Sequence, residues 1–331
     1  MTFPVTHSIP SIAALLSEVA SQYAIAPPTG GCFLNIGVND TFLVRSARSQ
    51  SVLRVYRHNL RTLDEIHYEL EILQHLKAAG VAVAAPIARK EGRGDRFLTA
   101  IDAPEGQRWA AMFEFAPGRE LEYGKGKPTE PVYRYGRMAA SLHAATVDFA
   151  SDRQRASLDL ETLLAQPLRS IQTKLCDRLG RSSEWPYFSG LARKLRDAIA
   201  ALPDLDWGFC HGDLHGGNAH IDGEIVTPFD FDCCGLGWRA YDLAVFKRDL
   251  RASGHPLEIW EAFLRGYGEV RALGERDRRA IELFVPVRHL WMLGLHVDNG
   301  DDWGFGWLGE EYLDRERKFL QDWEAEFGGM L

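Results

Sequence analysis

The stretch Phe209-Cys210-His211-Gly212-Asp213-Leu214-His215-Gly216-Gly217-Asn218, followed by Pro228-Phe229-Asp230-Phe231-Asp232, decides how this chain is read. Asp213 and Asn218 stand five positions apart, and Asp230 comes twelve later, about the length of one β-hairpin. A D-x-x-x-x-N spacing with a trailing aspartate suits phosphoryl transfer. In that chemistry a hydroxyl must meet a carboxylate that orients it and takes its proton. A nucleoside triphosphate must meet Mg²⁺ held by hard oxygen ligands, here an amide and a carboxylate. A polar β-turn with a capping Asp and Asn would explain any one of these residues, but not their order between apolar flanks.

Upstream of the cassette the patterning is mixed. Ser11 to Tyr23 reads as an amphipathic helix with Ser11 as N-cap. Thr41–Arg45 and Ser51–Tyr56 read as a hairpin. Leu63 to Ala79 is a helix that Gly80 stops, with Ile66, Leu70, Leu73 and Leu76 at helical spacing. Val81–Ile87 and Phe97–Ile101 look extended, and Trp109–Phe115 is a buried-strand candidate broken by Ala116-Pro117-Gly118. Beyond that breaker the chain turns mainly helical, with segments at Val132–Ala145, Leu158–Leu179, Leu191–Ala201, Tyr241–Arg251, Leu257–Gly266, Glu275–His296 and Glu310–Phe327.

Composition narrows the function classes. With 331 residues and 46% hydrophobic content the chain can bury a substantial core. A formal charge of −8 argues against a generic nucleic-acid or anionic-membrane binder. No apolar run approaches the roughly 18 residues of a membrane span, and Met1 to His7 carries neither a basic nor an apolar leader. Five cysteines without C-x-x-C spacing point to free thiols in a reducing cytoplasm.

His-Gly-Asp-Leu-His-x-Gly-Asn with a following Asp-Phe-Asp resembles the aminoglycoside phosphotransferase and choline kinase family. That resemblance implies an α+β, bilobal, protein-kinase-like fold. A small β-rich nucleotide-binding lobe is expected over residues 1–116, and a larger, mainly helical catalytic lobe over 117–331. It makes Asp213 the catalytic base, Asn218 and Asp230 the Mg²⁺ ligands, and ATP the donor. His211 would brace the loop. Asp242, in Tyr241-Asp242-Leu243-Ala244, would accept backbone N–H bonds from it. Asp232, two beyond Asp230, would share its face in an extended segment. Arg54 stands where the family usually has a lysine for the phosphates, with Glu69 as its helix partner. Arg keeps the charge but changes reach and shape, and strand alternation puts the competing Arg57 on the opposite face. Asn39, in the turn Asn35 to Thr41, resembles the family's phosphate-capping hairpin. Backbone groups at Glu114, Phe115 and Ala116 would take the adenine edge.

Acceptors fall into three classes. Arg54 to Pro86 and Phe284 to Tyr312 resemble the stress-response kinase A branch, which implies a protein Ser/Thr acceptor. A homoserine-like or choline-like hydroxylated metabolite comes next. A cationic aminoglycoside is third, suggested by the mixed aromatics and acids of the stretch from Arg288 and His289 to Glu311. A nucleotide-binding protein without catalysis is the alternative from another class.

Overall fold

Alternating apolar residues and short turns build an antiparallel sheet of five strands in the first part of the chain. The strands are β1 (Pro28–Ile36), β2 (Asp40–Ser46), β3 (Gln50–Val55), β4 (Leu98–Ala103) and β5 (Gly106–Glu114), in the order β1-β2-β3-β5-β4. In this computed structural model, residues 3–91, 94–178, 180 and 182–331 are described. Met1, Thr2 and the expected helix end at Leu179 therefore lie outside the described residues.

The chain folds as two compact units. One comprises Met1–Gly118 with Phe149–Arg155 and Thr227–Phe229; the other comprises Arg119–Asp148, Ala156–Val226 and Asp230–Leu331. In the first unit Phe42, Val44, Leu53, Val55, Ala110 and Met112 face Leu15, Val19 and Tyr23 to form the core. The helix α1 (Leu63–Ala78) starts at a capping box, in which Thr62 accepts from the Glu65 N–H and Glu65 reaches back to the Thr62 N–H.

Several expectations are corrected here. Ser11 makes no side-chain cap, although the expected helix forms without a break, α-helical over Ile12–Ala14, wider over Leu15–Val19 and tighter over Ala20–Gln22. Strand β1 was not expected. It holds Pro28, Gly30 and Gly31, which demote a strand by propensity, but it lies at the sheet edge, where a proline's missing N–H costs no ladder bond. Val81–Ile87 forms no strand and touches the sheet through a single bridge, Pro86 to Phe113.

The second unit is helical around a large apolar core. Its long helices are α2 (Glu130–Ala145), α3 (Trp185–Ala200), α4 (Arg239–Ala252), α5 (Leu257–Val270), α6 (Glu275–Asp298) and α7 (Glu310–Phe327). Val132, Tyr135, Ala139, Phe246, Phe263 and Tyr267 pack between α2, α4 and α5. Two small antiparallel ladders carry the cassette. One pairs β7 (Trp207–Cys210) with β10 (Gly235–Trp238), and the other joins β6 (Arg119–Glu120), β8 (Ala219–Asp222) and β9 (Ile225–Pro228). Among the described residues no helix is long and apolar enough to cross a membrane.

Candidate active site

The catalytic segment leaves β7 at Cys210 and turns at once. Gly212 has φ +81°, and a Cβ there would lie 2.1 Å from the Cys233 carbonyl oxygen, so only glycine fits. The turn's backbone N–H groups are satisfied from a distance. Asp242, fully buried near the start of α4, accepts from the N–H of His211 at 2.6 Å and of Gly212 at 2.7 Å. His143 of α2, also fully buried, contacts the same carboxylate at 3.1 Å and the Tyr267 hydroxyl at 2.9 Å. His211 Nδ1 accepts from the Asp213 N–H at 3.3 Å. The loop thus hangs on one carboxylate that an imidazole holds in place.

Asp213 projects from that support among polar partners. Asn218 Nδ2 donates to its carbonyl at 2.9 Å and to its carboxylate at 3.1 Å. Arg288, buried on α6, donates to the Asp213 carboxylate and to the Gly212 carbonyl at 3.3 Å. Its guanidinium lies 4.3 Å from the Trp291 ring centre. His215 Nε2 stands 3.6 Å from the same carboxylate. Burial alone would raise the Asp213 pKa, but Arg288 and then His215 outweigh it and hold the group well below the carboxylate range. Arg288 and His215 thus favour the carboxylate form of Asp213.

Asp230 sits in the left-handed region, φ +64° and ψ +61°, unusual for a residue with a side chain. Such a conformation costs about 1–3 kcal/mol and clusters at functional sites. It is followed by the tight turn Phe231–Cys233. The expected extended segment is thus absent, and Asp232, which is buried, does not share a strand face with Asp230. Among the described residues no group of three or more His, Cys, Asp or Glu is placed to hold a metal. The donor set nevertheless fits a hard divalent cation that also takes phosphate oxygens: Asn218 spends its Nδ2 on Asp213, leaving Oδ1, and Asp230 brings a carboxylate.

In the first unit Arg54 Nη1 meets Glu69 Oε1 at 2.6 Å, both residues buried, and Tyr56 donates to the other Glu69 oxygen at 2.9 Å. The guanidinium also lies 5.1 Å from the Phe113 ring centre. Arg57 is engaged otherwise. Its N–H donates to Asn39 Oδ1 at 3.0 Å and its Nη2 to the Gly37 carbonyl at 3.2 Å. Asn39 is thus buried and tied to Arg57, closing the turn with a Gly37 N–H to Asn39 carbonyl bond. Glu114 spends its N–H on the Ala85 carbonyl and its side chain on Lys77, and Ala116 is buried beyond Phe115.

The partners of Asp213 and Asp242 come from far along the chain. Arg288 lies 75 positions from Asp213 and His143 lies 99 from Asp242. No local spacing marks either pairing. The acids of the expected cation-binding tail are partly spent elsewhere, since Asp298 and Asp301 both pair with Lys174.

Histidine burial sets an acid limit on stability. Burial lowers the pKa of His143, His289 and His296 below 6.5. A depressed folded pKa contributes stability that is present above the unfolded value and lost as pH falls towards the folded one. His215 works in the opposite sense. Burial opposes its charge, but Asp213 raises its pKa, so its contribution is present below 6.5 and lost as pH rises through the folded value. Urea midpoints are therefore expected to fall between about pH 7 and about pH 5, with each fully buried histidine adding at most about 1.4 kcal/mol per pH unit. His143→Gln should flatten that slope; an unchanged slope contradicts the assignment.

A family model described as a phosphotransferase enzyme family matches residues 34–284. A homoserine kinase of Neisseria meningitidis is 30% identical, covering 72% of this chain and 73% of its own. The amicoumacin kinase of Bacillus subtilis is 24% identical over 94% of this chain and 91% of its own. A solved amicoumacin kinase, in complex with AMP-PNP and Ca²⁺, superposes with a TM-score of 0.75 at 21% identity, covering 93% of this chain and 91% of that one; this likeness shows the kinase-like fold. The expected placement in the stress-response kinase A branch gains no support from these relatives. With a family match spanning most of its length, the chain belongs to the phosphotransferase enzyme family.

Proposed function

We propose that this phosphotransferase moves the γ-phosphoryl group of ATP to a hydroxyl of a small molecule. The single observation that carries the reading is Asp213, fixed as a carboxylate by Arg288 and Asn218 on a loop braced by Asp242. A carboxylate of such low basicity does its main work by orienting the hydroxyl, and it takes the proton late. This suits a loose transition state that needs little base strength. The acceptor oxygen bonds to the γ-phosphorus, the bond from that phosphorus to the ADP oxygen breaks, and the hydroxyl proton passes to Asp213. Asn218 and Asp230 would hold Mg²⁺, which when bound would neutralise charge on the triphosphate. Arg54, aimed by Glu69, contacts the phosphates, and backbone groups from Glu114 to Ala116 take the adenine edge. Asn39 acts by shaping the first turn, its side chain accepting from the Arg57 N–H, rather than by touching the phosphates.

The acceptor is a small hydroxylated compound rather than the protein Ser/Thr first expected. Relatives named for homoserine and amicoumacin support this, whereas nothing among them supports a protein acceptor. The test is incubation with γ-labelled ATP, Mg²⁺, a panel of hydroxylated metabolites and, separately, a protein extract. Label is expected on a small molecule. Label confined to protein, or none beyond ADP and phosphate formed without Asp213, overturns the reading.

A further inference from the structure

Close enough to Arg288 to feel its charge lies a second arginine that the proposed chemistry does not use. Arg248 sits on α4 and Arg288 on α6, two helices that pack against each other. Arg248 is half-buried, yet among the described residues no aspartate or glutamate lies within ion-pair distance of it. Its Nε and Nη2 both point at one ring nitrogen, His289 Nδ1, at 3.3 and 3.2 Å. Its Nη1 donates to no protein atom among the described residues.

The surroundings aim this cation without cancelling it. His289 is held by Glu316, whose Oε2 lies 3.0 Å from Nε2, and stacks on Phe319 at 4.0 Å between ring centres. Burial lowers the pKa of that imidazole, and with Nε2 turned to Glu316, Nδ1 faces Arg248 as acceptor. Glu316, the nearby acid, is already spent on His289 and Arg315. Asp249, next in the chain, takes the Tyr123 hydroxyl at 2.8 Å. Burial and the charge of Arg288 together push the Arg248 pKa down, which marks a region with unmet positive charge. The same end of α4 lies beside the catalytic loop: Tyr123, bound to Asp249, packs so closely on Gly216 that a Cβ there would lie 2.4 Å from its ring.

We propose that Arg248, aimed by His289 and Glu316, receives a carboxylate of the acceptor whose hydroxyl meets Asp213. The inference rests on the reading of Asp213 as the group that takes the hydroxyl. A planar guanidinium edge with unused N–H groups matches a carboxylate in two parallel bonds. The acceptor class is then a small hydroxy acid or hydroxy amino acid, not a purely cationic amino alcohol or aminoglycoside.

Matched acceptor pairs test this in the unaltered protein: hydroxy acids against their carboxamides, and hydroxy amino acids against amino alcohols of the same length. Transfer from γ-labelled ATP is expected to favour the carboxylate member by about 100-fold in kcat/KM. Arg248→Met should raise the KM of that acceptor about as much while moving kcat far less, and Arg248→Lys should recover part of the loss. Thermal unfolding of both variants separates a folding defect from a binding one. Equal use of both members, preference for the uncharged or cationic member, or transfer to no carboxylate in the panel overturns the inference. Asp213-dependent ATP turnover measured alongside distinguishes this failure from failure of the kinase reading itself.

Discussion

Replacing Asp213 by asparagine is expected to lower the turnover number about 1,000-fold, the scale of removing a positioned group that handles a proton in the transition state. Asparagine keeps the shape and can still meet Asn218, but it cannot accept the hydroxyl proton. The KM for ATP should change little, because phosphate contacts are assigned to Arg54, Asn218 and Asp230. The substitution also strips Arg288 of its carboxylate while leaving the guanidinium buried against Trp291. Breaking such a pair is costly because the remaining charge stays out of water. The unfolding midpoint should therefore fall, and rates must be normalised to folded protein. A variant keeping more than about a tenth of normal turnover would remove Asp213 from the chemistry.

Asp242→Ala is expected to cost about 3–5 kcal/mol of stability. Three donors lose their acceptor at once: the N–H groups of His211 and Gly212, and the His143 ring. All of these residues are buried, so water does not replace the carboxylate cheaply. The midpoint of thermal unfolding should drop by about 10 °C. Activity should suffer beyond the loss of folded protein, since a small displacement of the loop moves Asp213 from its target and costs about 100-fold. Asp242→Asn, which keeps one acceptor oxygen, should fall between the two in both readings. A variant of Asp242 with unchanged melting behaviour would show that the loop stands without this brace.

The sequence reveals the cassette because its parts are local. Asp213, Asn218 and Asp230 sit on two neighbouring turns, and turn geometry demands particular residue types at particular positions. Gly212 is such a case, since nothing larger fits beneath the Cys233 carbonyl. The Arg54–Glu69 pair is legible for a related reason: a strand followed by a helix brings two charges of opposite sign to one place. What remains hidden is long-range. Nothing in the local pattern tells Arg288 to reach Asp213, or His143 to hold Asp242. These pairings depend on how α2, α4 and α6 pack. The edge strand β1 escapes for a propensity reason, its proline and glycines being tolerated because, among the described residues, no strand pairs on its outer side. The stacking of acids and aromatics near the C-terminus misleads because charge in a sequence does not show which partners consume it. There Lys174 takes Asp298 and Asp301, while Arg248 is left with an imidazole.

A crystal structure of this protein with a non-hydrolysable ATP analogue and Mg²⁺ tests the central assignment most directly. Metal density is expected on Asn218 Oδ1 and the Asp230 carboxylate, with phosphate oxygens at Arg54 and Asp213 facing the γ-phosphoryl group. Nucleotide bound away from these side chains, or a metal shell that excludes both Asn218 and Asp230, would contradict it.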